Sequence, residues 1–437
     1  MQESIVRFNL SSENNFYLSP DNGGKPSNQA IYLYFELTGQ RPTNADQVRI
    51  PLNISLVIDR SGSMQGDKLK YAKAALSFVI DQMQKDDQIS MVAYDHLVDV
   101  VQPQHKVTAK NSLHRKINAI VSRGSTNLSG GMLEGFSQVA AMQEQQRVNR
   151  VLLLSDGLAN QGVTDPQALH NLVQKQFRTR GIGLSTFGVG ADYNEDLMTN
   201  LSEYGGGNYF FIESADKIPT MFAHELQGLL SVVAQGAVLE IAFPPAVRFA
   251  EVFGYTGEVV DNVLRVPLND IFAEEEKALA VKFLLNDSAG GDLTFSSTLR
   301  YTDVVERLEP VIESRTLTLK PTSDPATYQS GIHLHALDNV TQFYANSLLE
   351  QAIAHLDQMD AESARATYQR ALAHLEGVFR MLKPSPELQE IHQSIVDYHR
   401  RIDEIKAMSV PLRAFHQKGA KASQYYSRKR RRYDDHN

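Results

Sequence analysis

At 437 residues, 42% of them hydrophobic and 22% charged, the chain is too long for one compact core of ordinary size, and three domains are expected of a globular protein. The formal net charge of −8 argues against broad nucleic-acid binding, because affinity for phosphate needs clustered Lys and Arg to displace counterions. Cysteine is absent, which excludes disulfides, zinc–thiolate sites, lipid attachment through Cys and thiol catalysis.

The start, MQESIVRFNLSSENNFYL, has no basic segment followed by an apolar one, and no window of about 18 apolar residues occurs. With Met1 as the true start, the expectation is a soluble, cytoplasmic protein with no membrane span. Residues 3 to 18 and 29 to 38 read as two strands, since β-branched and aromatic residues alternate in them, with the polar stretch SPDNGGKPSNQ between. They are too few to make a domain alone.

After the polar linker RPTNADQ the pattern becomes strand, helix, strand, helix, the mark of a parallel sheet covered on both faces. Continuous apolar runs place strands at Ile54 to Ile58, Gln88 to Tyr94, Val98 to Val101 as a short edge strand, Val151 to Ser155, Gly183 to Gly188 and Asn208 to Phe211. Helices with a 3.6-residue period fit Leu69 to Gln82, Ser112 to Ala119, Gly130 to Met142, Pro166 to Arg178, Asn194 to Tyr204 and Ile218 to Val233. The expected fold for residues 48–230 is a doubly wound, Rossmann-like α/β domain.

Residues 235–322 return to an all-β pattern, with alternating runs at Ala237 to Phe243, Val263 to Val266, Ala278 to Leu285, Leu293 to Tyr301 and Arg315 to Leu319. The two orphan strands of residues 1–45 are economically placed in the same sheets, giving a β-sandwich interrupted by the α/β domain. Beyond PTSDP the period is helical, and residues 326–410 are expected to form an antiparallel bundle. Its helices are expected to run from Ala326 towards Met359, from Asp360 to before Pro384, and from Ser385 as N-cap with Pro386 at the first helical position. Residues 417–437, with the basic run Arg428 to Arg432 and interleaved tyrosines, read as a disordered tail, the one segment with charge suited to nucleic acid, anionic lipid or a docking partner.

Chemistry concentrates after the first α/β strand. Asp59, Ser61 and Ser63 alternate along one loop, and such spacing turns three oxygen side chains towards one point, as a hard divalent cation requires. Where an open α/β sheet binds its ligands, at the carboxyl ends of its strands, this loop is expected to meet Gly124-Ser125-Thr126-Asn127 and Ser155-Asp156-Gly157. Other signals have blander explanations. His224-Glu225 lacks the second His of a zinc-protease helix, His333 and His335 point in different directions along a helix, and Asp192, Glu195 and Asp196 suit a helix start.

The five residues Asp59, Ser61, Ser63, Thr126 and Asp156, in this order and on these elements, resemble the metal-ion-dependent adhesion site (MIDAS) of von Willebrand factor A (VWA) domains, D-x-S-x-S with a distant Thr and a distant Asp. The chain is similar to bacterial stand-alone VWA proteins and, more distantly, to the heavy chains of inter-alpha-trypsin inhibitor and to calcium-activated chloride channel regulators. The resemblance implies Ser61, Ser63 and Thr126 as direct ligands of Mg²⁺, with Mn²⁺ or Ca²⁺ as alternatives, and Asp59 and Asp156 as direct or water-mediated ones. It implies a scaffold or adaptor that binds an Asp or Glu of a protein partner through the ion, with an AAA-type ATPase or kinase and phosphatase partners as candidates. It implies no catalysis. The alternative is a hydrolase using the ion as Lewis acid, for which Asp95 and His96 are the nearest candidate bases by topology. Likeness to integrin-type domains further suggests that the helix from Ile218 shifts like a rod; the alternative is a helix packed in one place.

Overall fold

A computed structural model describes residues 4–19, 29–42, 49–144, 147–158, 161–190, 192–286 and 290–408, with Lys418, Gly419, Lys421, Ala422 and Tyr425. The chain divides into two compact units. One joins Met1–Gln40, Ala237–Thr302 and Pro310–Asn437; the other joins Arg41–Gly236 and Asp303–Glu309. Strands β1 (Val6–Ser12), β2 (Phe16–Leu18) and β3 (Ala30–Gly39) open the first of these.

The second unit runs through β4 (Leu52–Asp59), α1 (Asp67–Gln82), β5 (Gln88–Tyr94), β6 (Val98–Lys106), α2 (Lys110–Asn118), α3 (Leu128–Ala141), β7 (Val148–Ser155), α4 (Pro166–Arg180), β8 (Gly183–Val189), α5 (Glu195–Tyr204), β9 (Gly206–Ile212) and α6 (Ile218–Leu230). Its six-stranded sheet has the order β6-β5-β4-β7-β8-β9, parallel throughout except for β6. Every residue of β4, β5, β7 and β8 is buried, which is why these strands read as unbroken apolar runs. From β4 the chain passes first to β5 on one side and later to β7 on the other. The crevice beyond the carboxyl ends of β4 and β7 is therefore a topological switch point.

Two expectations need correction here. The edge strand does not stop at Val101 but continues to Lys106, antiparallel to β5; its polar, half-exposed residues hid it. Helix α6 ends at Leu230 rather than Val233, because the next strand starts at Val232.

Helix α3 lies unusually close to the sheet. A Cβ at Gly135 would come within 2.6 Å of Val57 Cγ2 and 3.0 Å of Val151 Cγ1, and one at Gly131 within 2.5 Å of the Tyr94 ring. Gly135→Ala is accordingly expected to destabilise by about 1–3 kcal/mol through overpacking, although alanine is the better helix former. A urea titration measures it; a stabilised variant would refute the close-packing account.

The chain enters the first unit again within β10 (Val232–Ala242), at Ala237, and continues through β11 (Val247–Phe253), β12 (Glu258–Val260), β13 (Val263–Phe272), β14 (Glu276–Leu285), β15 (Leu293–Asp303) and β16 (Pro310–Thr322). A four-stranded sheet has the order β1-β3-β14-β11 and a six-stranded one β12-β13-β10-β15-β16-β2. Strands from before the α/β segment thus pair with strands from after it: β3 antiparallel to β14, β2 parallel to β16. The ring of Phe283 in β14 lies 5.1 Å from that of Phe243 and 5.2 Å from that of Phe295 in β15. Strands β11 and β12 were not expected from the sequence. A bulge between Phe249 and Glu251 breaks the alternation of β11, and all three residues of β12 are exposed.

The helices are α7 (Pro325–Ser330), α8 (Leu334–Asp357), α9 (Ala361–Phe379), α10 (Pro386–Arg400) and α11 (Ile402–Ala407). The single helix expected from Ala326 towards Met359 is broken at Gly331. There Ile332 bridges Asn14, the His333 amide donates to the Glu13 carbonyl at 2.9 Å, and a Cβ on Gly331 would meet the Phe16 ring at 2.4 Å. Asp360 and Ser385 cap α9 and α10 as expected, accepting from the Ser363 and Leu388 amides. Leu348, Leu349, Ala352, Tyr368, Ala371, Leu375, Leu388, Ile391 and Ile395 share one core, while Ala336, Val340 and Phe343 at the start of α8 pack on Tyr34, Phe253, Ala278 and Ala280.

Of the tail read as disordered, Lys418, Gly419, Lys421, Ala422 and Tyr425 are helical. Lys418, Ala422 and Tyr425, at i, i+4 and i+7, are buried, and Lys421 pairs with Asp357 at 2.7 Å. The Arg428 to Arg432 run lies outside the described residues, as do most of SPDNGGKPSNQ and of the RPTNADQ linker.

Candidate metal site

Strand β4 delivers Asp59 at its carboxyl end, and the chain then turns sharply through Gly62–Met64 before α1. The Asp59 carboxylate is fully buried. Its Oδ1 accepts from the Ser61 amide at 2.8 Å and its Oδ2 from the Ser155 hydroxyl, one residue before Asp156, also at 2.8 Å. Burial pushes Asp59 up to about 6; the hydrogen bonds from Ser61 and Ser155 pull the other way, and the charge of Asp156 adds to the rise.

The hydroxyls converge beside it. Ser61 Oγ and Ser63 Oγ are 3.0 Å apart, and Ser63 donates to Asp156 Oδ1 at 2.7 Å. A Cβ placed on Gly157 would sit 3.2 Å from Thr126 Oγ1 and 3.9 Å from Ser63 Oγ. The Thr126 hydroxyl, from the loop before α3, therefore shares one small cradle with Ser63, kept open by the missing side chain of Gly157. All five residues singled out in the sequence are brought together at the switch point. Asp59, Ser61, Thr126 and Asp156 are buried, and Ser63 is the exposed member. Three hydroxyls and two carboxylates around an oxygen-lined cradle fit a hard divalent cation.

A charged clamp beneath the loops was not anticipated. Arg60, the residue between Asp59 and Ser61, donates through Nε to Asp95 Oδ2 at 2.7 Å and also pairs with Asp99. Arg123, just before the Thr126 loop, donates to the same Asp95 oxygen and to Asp99, both at 2.8 Å. Asp95 Oδ1 accepts from the Leu97 amide at 2.8 Å and lies 2.9 Å from His96 Nδ1. Main-chain bonds reinforce the clamp: Arg123 N to Arg60 O at 2.8 Å, Asn127 N to Asp95 O at 2.8 Å, and Gly62 N to Gly124 O at 3.0 Å. Burial works to raise the Asp95 carboxyl, but the Leu97 amide and the Arg123 and Arg60 guanidiniums together hold it below the usual carboxylate range. Asp95 is thus committed to binding the three loops to one another. The only advance signal was an arginine inside an otherwise small and polar motif.

Lys68, in the first turn of α1, reaches Asp156 Oδ2 at 2.5 Å. It too escaped sequence reasoning. In α6, Glu225 is buried and accepts from Ser185 Oγ at 2.5 Å and Asn208 Nδ2 at 2.6 Å. His333 is not helical as expected but the extended residue before α8, 2.8 Å from Asn15 Oδ1; His335 lies in α8 and meets the Tyr34 ring edge-on, and both are exposed. No helix among the described residues is long and apolar enough to cross a membrane.

The fold and site define a doubly wound α/β domain with a hydroxyl-rich oxygen cluster at its switch point, where open α/β sheets present their ligand sites. Residues 53–224 match the sequence model of the von Willebrand factor type A domain, and the chain carries a VWA domain there. It is 32% identical over 196 residues to the uncharacterized protein YfbK of Escherichia coli (strain K12), spanning 44% of this chain and 34% of that one. It is 27% identical over 266 residues to the uncharacterized protein sll0103 of Synechocystis, spanning 58% and 62%. Inter-alpha-trypsin inhibitor heavy chain H3 of Homo sapiens aligns at 28% identity over 35% of this chain and 18% of its own length. The chain therefore covers less than two thirds of each of these relatives. Among solved structures, von Willebrand factor type A from Catenulispora acidiphila superposes with a TM-score of 0.72 over 98% of both chains at 13% identity, a likeness of fold. VWA domains are commonly metal-dependent protein-interaction modules, and they typically bind a divalent cation at a MIDAS.

Proposed function

We propose that this chain is a metal-ion-dependent protein–protein interaction module, a scaffold or adaptor that binds an acidic side chain of a partner through a divalent cation. Asp59, Ser61, Ser63, Thr126 and Asp156 would hold the ion. The observation that carries the reading is the convergence of the Ser63 and Thr126 hydroxyls on the cradle at Gly157, between two buried carboxylates. Mg²⁺ is the first assignment, because hydroxyls and two carboxylates with water suit six oxygens in octahedral geometry; Mn²⁺ is the natural substitute, and Ca²⁺ prefers more carboxylates. When bound, the ion supplies a positive charge only partly neutralised by its hydroxyl ligands, which an incoming Asp or Glu completes.

The engagement of Asp95 by Arg60 and Arg123 counts against it as the base of the hydrolase alternative, for which His96, 2.9 Å from Asp95 Oδ1, is the other candidate. Around the site we read the VWA domain, residues 48–230, as inserted into a β-sandwich formed by residues 1–45 and 235–322, with a helical bundle over 326–410. The β3–β14 and β2–β16 pairings support that reading. An AAA-type ATPase or kinase and phosphatase partners are the first candidates for a pull-down.

The test begins with the ion. In titration calorimetry with Mg²⁺ and Mn²⁺, Asp59→Ala is expected to weaken binding at least about tenfold, as loss of an ordering carboxylate does at metal sites. Partner capture should fall with the same variant and with chelator. Unchanged metal binding would remove the proposal.

A further inference from the structure

The Lys68–Asp156 pair stands apart from the other contacts of the site. Lys68 is the second residue of α1, where the positive end of the helix dipole disfavours a cation. Its side chain nevertheless crosses from α1 to the end of β7 and sets Nζ 2.5 Å from Asp156 Oδ2, with Lys68 27% exposed and Asp156 fully buried. On the far side, Nζ is 3.8 Å from where a Cβ on Gly190, beyond the end of β8, would lie. The two buried carboxylates of the site are therefore treated differently. Both oxygens of Asp59 are satisfied by neutral donors, the Ser61 amide and the Ser155 hydroxyl. Asp156 has one neutral donor, Ser63, and one cation, Lys68.

We propose that Lys68 is a tethered competitor of the metal: its ammonium compensates Asp156 when no divalent cation is bound, and must leave Asp156 for one to bind. The inference rests on the metal-site reading above. An ammonium 2.5 Å from a carboxylate oxygen and a divalent ion on the same carboxylate repel strongly in a partly dry site. The tether keeps the ammonium at high effective concentration whatever the surrounding solution contains. The partial exposure of Lys68 leaves it a way out into solvent. The consequence is a site whose metal affinity is set below what its five oxygen ligands would otherwise give, so that loading follows the ambient divalent concentration instead of being permanent. In the metal-free state the same lysine keeps a buried carboxylate from standing alone, which is costly.

The experiment uses the full chain and four proteins: wild type, Lys68→Met, Lys68→Arg and Asp59→Ala. Mn²⁺ binding is followed by the loss of the free-ion signal in electron paramagnetic resonance, Mg²⁺ binding by calorimetry, and melting temperature in chelator and in metal. Lys68→Met, which keeps the apolar stem, is expected to bind both ions about fivefold to tenfold more tightly, the range for removing one partly exposed ion-pair partner. Lys68→Arg, still a cation, should stay at or below wild-type affinity. Lys68→Met should also melt lower than wild type in chelator and gain more on adding metal. Equal or weaker binding by Lys68→Met, with Asp59→Ala still impaired, would overturn the role of Lys68 and leave the metal site standing. Wild-type binding by Asp59→Ala would overturn the metal site itself, and the role of Lys68 with it.

Discussion

Asp95→Ala is expected to lower stability by about 3 kcal/mol and to weaken metal binding at the same time, although Asp95 is no ligand. The substitution removes the acceptor of Arg60 Nε, Arg123 Nε and the Leu97 amide in one step. Arg60 is left almost wholly buried, its guanidinium facing only Asp99. Removing one partner of a buried ion pair costs about 3–5 kcal/mol, because the other charge stays behind without compensation. Arg123 and Asp99 are close to half-exposed, and solvent there screens part of the loss, which places the effect at the lower end of that range. Asp95→Asn should cost less, since the amide oxygen still serves the Leu97 N–H. The coupling to metal follows from chain connectivity. Arg123 precedes Thr126 by three residues, Asn127 follows it and donates to the Asp95 carbonyl, and Arg60 lies between Asp59 and Ser61. Loosening the clamp frees the Thr126 hydroxyl relative to Ser61 and Ser63, and a site loses affinity when its ligands must be ordered on binding. Urea unfolding read beside Mg²⁺ calorimetry checks both halves. A destabilised variant with undiminished metal affinity would mean that the clamp serves folding alone.

The sequence made the candidate metal residues legible and left their supports hidden. Asp59, Ser61 and Ser63 announce themselves because three oxygen side chains alternate directly after the apolar strand ISLVI. Nothing local marks Arg60, Lys68, Asp95 or Arg123 as more than solvated charges. Their ion-pair partners lie 24 to 88 residues away in the chain, and only the folded sheet brings them together. The same distinction holds for the fold. Strands β4, β5 and β7 are buried on both faces and read as apolar runs, whereas β6, β11 and β12 lie at sheet edges with polar or exposed residues and were shortened or missed. The break between α7 and α8 is set by Asn14, Phe16 and Glu13, more than 300 residues upstream for the Asn14–Tyr328 bond, and helical periodicity carries no trace of that.

Glu225→Ala is expected to cost about 3 kcal/mol and to loosen α6 selectively. On this helix Phe222, Glu225, Leu226 and Leu229 are all buried, so a carboxylate occupies what the 3.6-residue period assigns to an apolar face. It is held in a closed ring of hydrogen bonds: the Asn208 amide donates to Ser185 Oγ at 3.2 Å, Ser185 Oγ to Glu225 Oε1 at 2.5 Å, and Asn208 Nδ2 to Glu225 Oε2 at 2.6 Å. Alanine leaves the Ser185 and Asn208 donors buried without this acceptor, and hydrogen bonds to a charged group are worth about 1.5–3 kcal/mol. Glutamine is not a neutral replacement, since its NH₂ would face a second donor. The ring bears on whether α6 slides. Ser185 belongs to β8 and Asn208 to β9, and Phe222 stacks on Phe187 of β8 at 4.1 Å. A shift of α6 along its axis by one turn, about 5.4 Å, would break both bonds to Glu225 and the stack together, with no second polar residue on the buried face to replace it. The geometry therefore favours a helix fixed in one place over a rod that shifts. Hydrogen exchange should find α6 amides protected alike with and without Mg²⁺ in wild type, and exposed first in Glu225→Ala. Mg²⁺-dependent exchange confined to α6 in the wild-type protein would instead show that the ring opens, and that the helix moves with the metal site.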